Sequence, residues 1–137
     1  MWRLLEERER QARGPVNKIR ATSEVTRIIQ ARLVSHFGRV VGCPLGNLAL
    51  ELATTDDDAG QHAAAVLAEW EARVAGHCQD AAEVGWLKPG IEPEQLAHIV
   101  IGTMQGMILL AKVSNTSAVA VSDAMDRGIE HGVRSRS

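Results

Sequence analysis

Five histidines, His36, His62, His77, His98 and His131, and two cysteines, Cys43 and Cys78, are the residues of this chain best suited to metal or nucleophilic chemistry. Their spacing argues against both. No His-x-x-x-His, Cys-x-x-Cys or Glu-x-x-His array occurs, so no helix turn presents two ligands to one ion. His77 and Cys78 are adjacent, and on a helix they point about 100° apart. Cys43 precedes a helix start, where a thiolate is favoured, but no base partner can be named, and a small residue packed in a tight turn is the expected role. Asp56, Asp57 and Asp58 read as helix caps and solvated charge, and Glu51, between Leu50 and Leu52, as a salt-bridge partner. Gly42, Gly46, Gly60, Gly102 and Gly106 match neither a P-loop nor a dinucleotide fingerprint. The expectation is a protein with no catalytic residue, no metal and no cofactor, and hence not an enzyme.

Binding is the remaining chemistry. Leu67, Trp70, Val74, Met104, Met107 and Ile108 are apolar side chains at helical spacing, several of them adaptable, and Asn47 and Gln105 could supply polar groups. A pocket of this kind would take a small, apolar effector. The same residues would serve equally as plain core.

The elements that position these residues are all helices. Gly14-Pro15 stops a charged first helix over about Trp2–Arg13. A second helix runs from Val16 to Gly38 and buries Val25, Ile28, Ile29, Leu33 and Phe37, with Val40 beyond it. Pro44 opens a short third helix to Ala53. The aspartates open a fourth, Asp58 to Val84, whose buried face carries Ala63, Val66, Leu67, Trp70, Val74, Cys78, Ala81 and Val84. Gly85 is its stop. A fifth runs from Pro93 to Val113. A sixth starts at a cap within Asn115–Ser117 and ends near Arg127 to Gly132. Residues 133–137 read as a frayed tail.

Composition agrees with one all-α domain of 137 residues. Hydrophobic residues are 45% and aromatics only 3%, a balance that favours helices packed through small aliphatic side chains over sheet. A net charge of −2 gives the chain no general attraction to nucleic acid or an anionic membrane. The basic residues near the N-terminus are interleaved with glutamates. The most apolar stretch, Ile99 to Val113, falls short of the roughly 20 residues of a membrane span. Two free thiols and the lack of an apolar leader suggest a cytoplasmic protein.

The fifth helix is apolar almost all round, apart from a stripe of His98, Gln105 and Lys112. Such a helix must be covered on more than one side. Val100, Met104, Met107, Ile108 and Ala111 suit the domain's own core. Gly102, Gly106, Leu109, Leu110 and Val113 lie opposite and suit a partner chain. Val121 and Met125 of the sixth helix are expected to complete that dimer face.

The run Gly42-Cys43-Pro44-Leu45-Gly46-Asn47-Leu48-Ala49-Leu50-Glu51-Leu52-Ala53 resembles a motif of the C-terminal domains of tetracycline-repressor (TetR) type transcriptional regulators. Trp70-Glu71, the turn Ala82-Glu83-Val84-Gly85-Trp86-Leu87, the start Pro93-Glu94-Gln95-Leu96, and Met104-Gln105-Gly106 with Leu109-Leu110-Ala111-Lys112 continue it in order, over roughly residues 16 to 126. The resemblance implies about six helices in an orthogonal bundle. Residues 1–14 become a connector helix, residues 15–132 an effector-binding domain, and the last two helices its homodimer face. It places the effector cavity in the space enclosed by helices two to five. DNA would be reached only through a helix-turn-helix that this chain lacks. A helical homodimerisation module without a ligand is the alternative.

Overall fold

The computed structural model describes residues 1–52, 58–115 and 117–134. Over these the chain forms α1 (Trp2–Gln11), α2 (Pro15–Phe37), α3 (Pro44–Leu52), α4 (Asp58–Glu83), α5 (Pro93–Ser114) and α6 (Ala118–Gly132). The six expected helices are present, with ends within a few residues of expectation. The caps proposed at Asp56 and Asp57 lie outside the described residues.

Local chemistry explains the ends. α2 and α5 each begin on a proline, where the missing N–H costs nothing. Gly38 closes α2 in the left-handed region, φ +69°, its N–H on the Val34 carbonyl. Gly85, φ +74°, reverses the chain after α4, so that Trp86 N–H reaches back to the Ala81 carbonyl at 2.8 Å. Ser117 caps α6, its hydroxyl accepting from Val119 N–H at 3.1 Å.

α2 packs against α1, α4 and α6, while α5 lies between α4 and α6. Leu96, Val100, Met104 and Ile108 of α5 meet Val121, Met125 and Ile129 of α6 and Trp70, Val74 and Cys78 of α4 in one core. α5 is, among the described residues, the helix long and apolar enough to cross a membrane. Here its core-facing side is buried within the bundle and its other side is exposed.

Glycine lets α6 approach α5. A Cβ on Gly132 would stand 2.5 Å from the fully buried Leu96, and one on Gly128 would touch Ile99. These glycines do not interrupt α6. They are the surface on which it crosses α5.

Three expectations are corrected. Phe37 is 56% exposed and Val84 61% exposed, because each falls at a helix end, where the chain turns away from the core. Val133 and Arg134 are not frayed. Val133 pairs with Leu87 and is buried, and Arg134 N–H donates to the Trp86 carbonyl at 2.8 Å.

Candidate functional site

The centre of the bundle is less apolar than the spacing of aliphatic residues suggests. α2 turns Thr22, Ser23, Thr26 and Gln30 inward, all 3% exposed or less. Thr22, Thr26 and Gln30 recur every four residues and so share one helix face. The Thr26 hydroxyl donates to the Thr22 carbonyl at 2.8 Å and lies 3.2 Å from Met104 Sδ. Gln30 Nε2 donates to the Gly42 carbonyl at 3.3 Å. Among the described residues, Thr22 Oγ1 and Trp70 Nε1 are buried without a hydrogen-bond partner. A buried orphan costs about 1–3 kcal/mol, so native cores hold few of them.

Of the expected pocket residues, Trp70, Val74, Met104 and Ile108 join one core cluster, with Met107 packed on its edge. Leu67 is half-buried outside that cluster. Asn47 stands apart, at the start of α3. Its Nδ2 donates to the Val41 carbonyl at 3.1 Å, and Lys112 Nζ approaches its Oδ1 at 3.4 Å. Gln105 is half-buried on α5. It reaches Cys43 Sγ at 3.5 Å and packs so closely on Gly46 that a Cβ there would collide with its amide oxygen. Cys43 is buried in a tight turn, as expected, accepting from Gly46 N–H at 3.3 Å. Asn47, Cys43, Gln105 and Lys112 thus clasp α3 onto α5.

Aliphatic spacing does not reveal the α2 stripe; the uncharged run Thr22, Thr26 and Gln30 at intervals of four is the signal that marks it.

A second polar cluster joins α1 to α4. Glu9, buried, accepts from Arg73 Nε at 2.9 Å and approaches His77 Nε2 at 2.9 Å. Burial raises the Glu9 pKa, but hydrogen bonds from Arg73 and His77 and their charges outweigh it and hold the carboxyl below its ordinary value. No sequence pattern announced this trio, since Glu9 and Arg73 stand far apart in the chain. Cys78 lies at the core. Burial, with the charge of Glu94, pushes its thiol up to about 12, which makes it unreactive. Among the described residues, no three His, Cys, Asp or Glu side chains gather to hold a metal ion.

The expected partner face divides. Gly102 and Gly106 are exposed, and a Cβ on either would meet nothing within 4 Å. Leu109, Leu110 and Val113 are 51%, 59% and 80% exposed, and Val119 of α6 is 54% exposed. Val121 and Met125, by contrast, are buried in the protomer's own core, 1% and 0% exposed. Their assignment to a partner face is corrected, because α6 spends that stripe on α5 and α2.

Residues 15–126 match the family described as tetracyclin repressor-like, C-terminal domain. The fold matches the crystal structure of a TetR transcriptional regulator from Chloroflexus aurantiacus J-10-fl, with a TM-score of 0.72 and 23% identity. The match covers 96% of this chain and 69% of that one. No curated protein matches the chain. With the family match over most of its length, the chain belongs to the tetracyclin repressor-like C-terminal domain family.

Proposed function

We propose that this chain is the effector-sensing and dimerisation domain of a TetR-type regulator of transcription, working in the cytoplasm by packing changes and without catalysis. The observation that carries the sensing role is the polar stripe in the core. Thr22 and Trp70 hold a hydroxyl and an indole N–H with no partner among the described residues, and Thr26, on the same stripe as Thr22, touches the adaptable Met104. A small effector with an apolar body and a polar atom would satisfy such a group and replace the packing among α2, α4 and α5. Its differential affinity for the two packings would bias the bundle. In the family's terms that bias reaches DNA through a helix-turn-helix outside this chain.

Dimerisation draws on α5. Gly102 and Gly106 leave room for a second backbone, and Leu109, Leu110, Val113 and Val119 make an apolar patch beside them. A symmetric pair covering that patch is the simplest arrangement. Sedimentation at micromolar concentration should give twice 14.8 kDa. Gly106→Leu should shift it to the monomer, and a clean wild-type monomer would refute the dimer.

A thermal-shift screen of apolar compounds bearing a hydrogen-bond acceptor, read also by tryptophan fluorescence in a W2F/W86F background that leaves Trp70 alone, tests sensing. Stabilisation with a change in Trp70 emission is expected. A second reading, a ligand-free dimerisation module, is favoured by the tight packing of Val74, Met104 and Ile108, none above 3% exposed. A library that shifts neither melting nor fluorescence would decide for it.

A further inference from the structure

We propose that the groove bounded by α1, α2 and α6 binds a small polyanion carrying carboxylate or phosphate groups. The groove has a volume of about 570 Å³, within the range of small-molecule sites. It lies on a different side of α2 from the Thr22, Thr26 and Gln30 stripe, and its occupancy does not depend on the sensing role proposed above.

Four guanidinium groups line it, those of Arg8, Arg13, Arg20 and Arg27, against two carboxylates, Glu24 and Asp126. Glu24 is already engaged by Arg8 at 3.1 Å. Arg20 has a long, exposed contact to Glu130, at 3.8 Å, and its charge also acts on Asp126. The whole chain carries −2, so this concentration of positive charge runs against the sign of the molecule. A local positive field on an acidic protein selects an anion by position and not by general attraction.

The floor of the groove is polar and fixed. Ser23 and Ser122 are 2% and 4% exposed, and the Ser23 hydroxyl donates to the Ser122 carbonyl at 3.1 Å. Asp126 beside them has its pKa raised, first by burial and then by the charges of Glu130 and Asp123, against a hydrogen bond with Ser23 and the charge of Arg20.

Spacing sets the ligand class. Arg20 and Arg27 are seven residues apart on one continuous helix, hence roughly 10 Å along its axis, and Arg13 stands seven residues before Arg20. A molecule with two or three anionic groups can engage more of these arginines at once than a single phosphate can, and planar guanidinium forks suit carboxylate and phosphate alike. Bound there, it would tie α1 to α2 and α6.

The test is calorimetry on the full chain with citrate and with pyrophosphate, at ionic strength held constant with sodium chloride. Saturable binding of either probe, one per chain, is expected, and the tighter of the two names the source as carboxylate or phosphate. The double variant R20Q/R27Q should weaken it about tenfold or more, whereas Arg39→Gln, in the loop after α2, should leave it unchanged. Asp126→Asn should tighten binding several-fold by removing the opposing charge, an effect that misfolding cannot mimic. Heat that only tracks ionic strength, equal binding by R20Q/R27Q, weaker binding by Asp126→Asn, or preference for a DNA oligonucleotide over both probes would each overturn the proposal.

Discussion

Single side chains set the electrostatics of this domain. Glu9 holds α1 to α4 through Arg73 and His77, and Glu9→Gln should cost about 1–3 kcal/mol by removing the negative charge paired with the half-buried Arg73 guanidinium. Because its folded pKa is depressed, its contribution is complete above the ordinary value of 4.5 and is lost as pH falls through the lower folded value. The stability gap between wild type and Glu9→Gln should therefore be full at neutral pH and close on acidification, as read by urea unfolding across pH. A gap independent of pH would remove the charge explanation. Thr22→Val tests the orphaned hydroxyl. With no partner to lose, the substitution should leave stability unchanged or raise it by up to about 1 kcal/mol, while weakening any effector found by screening. Clear destabilisation would mean that the hydroxyl is bonded in solution. Neither role was legible in the sequence. A buried ion trio and a buried orphan are contacts between distant segments, and local spacing carries no record of them.

The helices themselves were legible, because prolines, glycines and a serine cap write helix ends into local sequence. The use of each helix face was legible only in part. Both α5 and α6 carry a pair of glycines four residues apart, and spacing cannot tell which pair meets another helix. The structure separates them. Gly132→Ala would press a methyl onto buried Leu96 and should cost about 1–3 kcal/mol. Gly102→Ala faces open space and should stabilise the protomer by about 0.5–1 kcal/mol through helix propensity. Chemical denaturation of the two variants at dilute concentration checks both signs, and equal effects would contradict the α5–α6 crossing.

At the scale of the whole molecule, an apolar helix with one covered side explains why the bundle suits a two-chain assembly. Gly102, Gly106, Leu109, Leu110 and Val113 share the outer side of α5, and no described part of the protomer covers them. If the dimer forms there, melting temperature should rise with protein concentration, since association stabilises only the folded state. A concentration-independent transition would speak for a monomer. The all-helical class, the six elements, the inward and outward sides of α5 and the family were determined by the sequence itself, because helix periodicity and capping are local and the family's motifs stand in order along the chain. The burial of Val121 and Met125 within the protomer, the polar stripe on α2, the Glu9 trio and the arginine groove were decided only by the tertiary structure. Each depends on which helix covers which face, and a helix that is apolar or small on several sides leaves that choice to the packing of the whole bundle.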